Sequence, residues 1–133
     1  MKKGLPFVAL AVCFSSLTSF ASNIPSGNDL VRQCALGVKF MDKPGSTNQH
    51  ELAQAIACFG YVAGVRDTMV AVKEACAPDN LEPGQIARLV IKQANDYPEV
   101  LNTPQFFVAA FAIQKSYPCA GMKKKPSKSP TGK

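Results

Sequence analysis

A compact all-α bundle of about four helices stapled by two disulfides is the fold class this sequence predicts, and three observations predict it. From Leu30 to Ile113 the apolar residues recur at spacings of three and four, and no stretch alternates with the period of two that a half-buried strand requires. Pro44, Pro78, Pro98 and Pro118, with the turn residues around them, cut this region into four helical stretches. Cys34, Cys58, Cys76 and Cys119 remain as an even set of cysteines once the N-terminal segment is set aside.

That segment, residues 1–21, is organised as a cleavable secretory signal peptide. Lys2 and Lys3 precede an apolar run over residues 5–14 and a more polar stretch over 15–19, and Ser19 and Ala21 supply small residues at −3 and −1 of a peptidase site. The apolar run is about half the ~20 residues that span a bilayer, so no membrane association is expected after cleavage. Leu10-Ala11-Val12-Cys13 offers a competing lipoprotein box with Cys13 as the acylated residue, but Val12 is bulky where a small residue is wanted. Cleavage after Ala21 is therefore the expectation, with Ser22 as the first exported residue. It removes Cys13 and leaves four cysteines for an oxidising compartment, where a small core benefits from disulfides.

The first helix is expected over residues 28–41, where Leu30, Val31, Cys34, Val38 and Met41 share a face and Ser26 or Asn28 is the N-cap. The turn Asp42-Lys43-Pro44-Gly45-Ser46 ends it. Asn48, three residues before Glu51, is an asparagine form of the capping box, and no proline interrupts the chain from there to Cys76. A second helix over that whole span is about 40 Å long. Within it Ala57, Gly60 and Gly64 form a small-residue strip, read as a site of tight helix packing, while Asp67 and Glu74 belong to an exposed charged face. Pro83 opens a third helix at N1, with Ile86, Leu89, Val90, Ala94 and Tyr97 as its buried stripe, and Pro98 stops it. Thr103-Pro104 reads as N-cap and N1 of a fourth helix reaching Ser116. Phe106 through Ile113 are apolar without a break, so Phe106, Phe107 and Phe111 belong either to the core or to a contact with a partner or second subunit.

The same geometry predicts the disulfide pairing. In an antiparallel hairpin of the first two helices Cys34 and Cys58 are equidistant from residue 46, so they lie side by side. With helices two, three and four running up, down and up, Cys76 and Cys119 meet at one end.

The formal net charge is +6, but Lys2, Lys3, Lys123, Lys124, Lys125, Lys128 and Lys133 stand at the two chain ends. The eight remaining basic residues face nine acidic ones, so the domain over residues 22–120 is close to neutral and offers no basic face for nucleic acid. The tail, residues 121–133, is rich in lysine, proline and serine and reads as disordered. His50 is the sole histidine and no Cys-x-x-Cys pair exists, so no metal or cofactor is expected. There is likewise no phosphate-binding glycine loop and no nucleophile with a free histidine beside it, which argues against an enzyme.

The ordered set Gly27-Asn28-Asp29-Leu30 with Cys34, Cys58-Phe59-Gly60-Tyr61-Val62-Ala63-Gly64-Val65 with Asp67, Cys76-Ala77-Pro78 with Gln85, Tyr97-Pro98 and Tyr117-Pro118-Cys119 resembles the Rap/Tai family of immunity proteins. The resemblance runs from Gly27 to Cys119. It departs at the lysine-rich tail and at Ala75, where the family pattern leads one to expect an aromatic residue. The resemblance implies a periplasmic helical protein, often a homodimer, that binds and blocks a peptidoglycan amidase delivered by a type VI secretion system. Two exposed polar loops are candidates for reaching into the enzyme's cleft. The longer holds Asp42, Lys43, Ser46, Thr47, Asn48 and Gln49; the shorter spans residues 78–82. A small periplasmic chaperone of the acid-stress kind, or a small-molecule binder, would share the export signal and the disulfides, and the site rather than the fold must separate them.

Overall fold

In a computed structural model, residues 24–121 are described. The segment over residues 1–21 read as a signal peptide, and the lysine-rich tail apart from Gly121, lie outside the described residues. Four α-helices carry the fold: α1 (Gly27–Asp42), α2 (Gln49–Ala71), α3 (Pro83–Asp96) and α4 (Gln105–Ser116), with a short 3-10 turn at Pro98–Asn102 between the last two. The described residues form no strand; Ser26 and Pro104 make one isolated antiparallel bridge. The core is built from all four helices, with Leu30 and Cys34 of α1, Cys58 and Val62 of α2, Ile86 and Val90 of α3, and Val108 and Ile113 of α4 fully buried.

Ser26, not Asn28, caps α1. Its Oγ accepts the Asp29 backbone N–H at 3.4 Å, and the Asp29 carboxylate accepts the Ser26 backbone N–H at 3.0 Å. Asn48 and Glu51 make the same reciprocal pair at the start of α2, at 2.9 and 3.0 Å. At α3 the Glu82 N–H is taken by the Gln85 side chain at 3.0 Å, and Pro83 opens the helix as its fixed φ suits.

Three helix expectations are corrected. The second helix does not continue to Cys76 but closes at Ala71, because Lys73 adopts a left-handed φ of 61°. The Lys73 N–H then donates to the Val70 carbonyl and the Glu74 N–H to that of Met69, the paired bonds of a Schellman ending. Thr103 does not cap α4: its hydroxyl donates to the Val100 carbonyl at 2.7 Å and closes the 3-10 turn, so Pro104 stands at the cap position. The Gln105 N–H at the head of α4 goes instead to the Pro25 carbonyl, and the Gly27 N–H to that of Thr103. Finally, Ala57, Gly60 and Gly64 are exposed, and beyond the surrounding helix backbone no atom lies within 4 Å of where a Cβ would stand at either glycine. The close packing expected of that strip falls elsewhere, at Gly27, whose missing Cβ admits Val108 and the Leu101 backbone, and at Gly37, against the Phe59 ring.

Both disulfides form as the geometry predicts, Cys34–Cys58 and Cys76–Cys119. The first joins α1 to α2 in an antiparallel hairpin. For the second, α2 and α4 do run in the same sense: Glu74 meets Gln114, and the Cys76 N–H donates to the Tyr117 carbonyl, so both chains reach the same end. The third helix departs from the up-down-up scheme. Met41 at the end of α1 lies against Gly84 at the start of α3, Asp42 pairs with Arg88, and Leu101 beyond α3 returns to Gly27 at the start of α1. Thus α3 is antiparallel to α1, and the segment 72–82 carries the reversal by doubling back along the last turns of α2.

Candidate functional site

The longer candidate loop is an ordered turn. The Lys43 N–H donates to the Lys39 carbonyl and the Ser46 N–H to that of Lys43, and Gly45 turns the chain with φ 89°. Asp42 ends α1 and is paired across to Arg88 on α3. Asn48 is occupied as the cap of α2, while Glu51 also holds Lys39 at 3.1 Å. Bonding to the Asn48 backbone N–H, then to Lys39, keeps the Glu51 carboxyl below the usual carboxylate range. Asp42 and Asn48 therefore position the turn. Lys43, Ser46 and Gln49 are exposed on it, and Thr47 is half-buried.

The shorter loop is clamped by Arg66, which sequence reasoning did not single out. The Arg66 guanidinium donates to the Leu81 carbonyl at 2.9 Å and the Asp79 carbonyl at 3.3 Å, and pairs with Asp67 at 2.7 Å. Leu81 is buried beneath the loop, leaving Asp79, Asn80 and Glu82 exposed. The seating of Met41 on Gly84, two residues past Glu82, brings the end of the shorter loop toward the longer one, while the Arg66 clamp keeps Asp79 beside the last turns of α2. Only the α1–α3 contact reveals this; the sequence contains no signal for it.

The three phenylalanines separate. Phe106 is 41% and Phe107 60% exposed, which removes both from the core. Phe111 is half-buried, edge-on to Tyr97 at 5.3 Å, with the Lys115 ammonium 4.9 Å from the Tyr97 ring centre. Beside Phe107 an open groove of about 310 Å³ is lined by Val100, Thr103, Ala110, Phe111 and Gln114. Its two polar side chains already have partners, Thr103 on the Val100 carbonyl and Gln114 on Glu74 at 3.1 Å, so the groove offers mainly apolar contact. Burial pushes the Tyr61 hydroxyl on α2 up, and the Gln105 side chain at the head of α4 opposes that shift.

Among the described residues no helix is long and apolar enough to cross a membrane. Ala75, the departure from the resembled pattern, is buried in the core beside Ala77 and Leu81. Searches of curated proteins and of solved structures returned no match. A family model described as Rap1a immunity proteins matches residues 26–119. That span opens at the Ser26 cap and closes at the Cys119 bridge, taking in all four helices and both disulfides; the chain belongs to the Rap1a immunity protein family.

Proposed function

We propose that this chain protects its cell as an immunity protein, by binding and blocking a peptidoglycan amidase effector of a type VI secretion system in the periplasm. The observation that carries the reading is the family match over residues 26–119. The signal segment over residues 1–21 would deliver the chain to the compartment that holds the amidase's substrate. The protein acts here as a binder and not as an enzyme. A scaffold with two bridges and capped helices loses little freedom on association, which lowers the entropic cost of a tight complex. In this reading the rim around Lys43, Ser46, Thr47 and Gln49, with Glu82 on the side of Met41 and Gly84, supplies polar contacts to the enzyme's cleft.

The exposed Phe106 and Phe107 suit a different contact. Helix α4 carries both a protruding aromatic knob and the apolar groove beside it, so a second copy related by a two-fold axis would place each Phe107 in the other's groove. We assign the homodimer to this face, which leaves the polar rim free for the effector.

Periplasmic co-expression of a candidate amidase, encoded next to this chain, with and without the protein tests the reading. Rescue from lysis and a stoichiometric complex on size exclusion are expected. Phe107→Ser should convert the free protein to a monomer without unfolding it. If cells lyse equally in both cases and no complex forms, the immunity reading fails, and the chaperone reading, with its acid-triggered exposure of apolar surface, takes its place.

A further inference from the structure

We propose that the two disulfides have different roles: Cys34–Cys58 is a permanent staple, while Cys76–Cys119 is a reducible clasp that a dithiol can open with the helices still folded. The observations concern access and attachment. Cys34 and Cys58 are 0% exposed and sit within α1 and α2, facing the core, so a reductant reaches their sulfurs only if the hairpin opens. Cys76 is exposed and Cys119 half-buried, and both lie outside any helix, in the segments that follow α2 and α4. A thiolate of the reductant attacks one sulfur of this bridge and expels the other cysteine as a thiolate. The second thiol of the reductant then resolves the mixed disulfide, leaving two cysteine thiols and an oxidised reductant.

Opening the clasp frees a definite part of the molecule. From Lys73 to Pro78 the chain is held by the N–H bonds of Lys73, Glu74 and Ala75 to the Val70 and Met69 carbonyls, by the bond from the Cys76 N–H to the Tyr117 carbonyl, by Gln114 on Glu74 and by the burial of Ala75 and Ala77, while Tyr117 packs half-buried against the core. Within 72–78 the buried side chains are two alanines, and Lys73 at the start has a left-handed backbone. Local opening of segments 72–78 and 117–121 is therefore the expected response, and it stops at the Arg66 clamp on Asp79 and Leu81. The inference is independent of any partner.

The test is reduction of the oxidised full-length exported protein by dithiothreitol without denaturant, followed by alkylation of free thiols, peptide mapping and circular dichroism. Cys76 and Cys119 should be labelled at least tenfold faster than Cys34 and Cys58, with helicity retained and a new tryptic cut after Lys73. The double variant Cys76→Ser, Cys119→Ser should fold with Cys34–Cys58 intact and show the same cut without reductant. Simultaneous labelling of both bridges, earlier labelling of Cys34 and Cys58, loss of helicity with the first labelling, or failure of the double variant to fold would each overturn the proposal.

Discussion

Alanine should stabilise the domain at Gly60 or Gly64 and destabilise it at Gly27, because the space around these glycines differs. Inside α2, nothing beyond the surrounding helix backbone lies within 4 Å of a Cβ at Gly60 or Gly64. Alanine is favoured over glycine by about 1 kcal/mol in a helix interior, partly through the unfolded chain, so each change should add roughly 0.5–1 kcal/mol. At Gly27 a Cβ would stand 2.5 Å from Val108 Cγ2 and 3.0 Å from the Leu101 Cα and carbonyl oxygen. The Gly27 N–H is also fixed to the Thr103 carbonyl at 2.8 Å, so the backbone cannot retreat freely, and the overpacking should cost about 1–3 kcal/mol. Gly84 is an internal control: its close neighbour is the end of the flexible Met41 side chain, which is 37% exposed and can swing aside, so alanine there should be nearly neutral. Urea unfolding followed by circular dichroism measures all four, and each 1 kcal/mol should move Tm by about 4–8 °C in a domain of this size. If Gly60→Ala proves as damaging as Gly27→Ala, the outer face of α2 is covered in the folded protein and the reasoning is refuted.

Lys73→Gly should stabilise by about 0.5–1 kcal/mol, since glycine adopts the left-handed conformation at 61° without the steric cost that lysine bears; a lower urea midpoint than wild type would contradict the Schellman ending. Stability should also fall with acid through the two capping carboxylates. Asp29 is held below its usual range first by the Ser26 backbone N–H and then by its hydroxyl, and Glu51 by the Asn48 N–H and Lys39. A depressed folded-state value means that the contribution is present above the unfolded values, near pH 4, and is lost as pH falls through the folded ones. Urea midpoints measured from neutral to acid pH should show that decline, and Asp29→Asn with Glu51→Gln should flatten it.

Much of the hairpin was legible because its signals are local. Asn48 and Glu51 mark one helix start, Pro83 another, and the equal spacing of Cys34 and Cys58 from residue 46 fixes the first bridge with no tertiary knowledge. The exit from α2 was not legible for an equally physical reason. A Schellman ending is announced in sequence by glycine or asparagine, and here a lysine takes the left-handed position, held by the Met69 and Val70 carbonyls and by the bridge beyond it. The direction of α3 was hidden likewise, since a chain doubling back through residues 72–82 reads the same as one that crosses to the far end. Its signature is Arg66 reaching Leu81, a contact between residues fifteen apart that no periodicity encodes.

The surfaces follow a different logic. Periodicity assigns a face to the core when the opposite face is charged, and α1 and α3 obey this, with Arg32 and Lys39 or Arg88 and Lys92 opposite the buried stripe. Residues 52–65 of α2 and residues 105–114 of α4 contain no charge at all, so sequence could not say which side is buried. The fold resolves both cases toward exposure: Ile56 is 60% exposed on α2, and Phe107 equally so on α4. A solvent-facing helix gains nothing in monomer stability from an outward phenylalanine or from two interior glycines, and the glycines cost about 1 kcal/mol each. Features unfavourable to the isolated chain are the ones to examine for contacts with other molecules. Those on α4 adjoin a groove whose polar side chains already have partners, so the proposed subunit contact would bury apolar surface there and leave the polar rim where Met41 meets Gly84 open to the proposed effector.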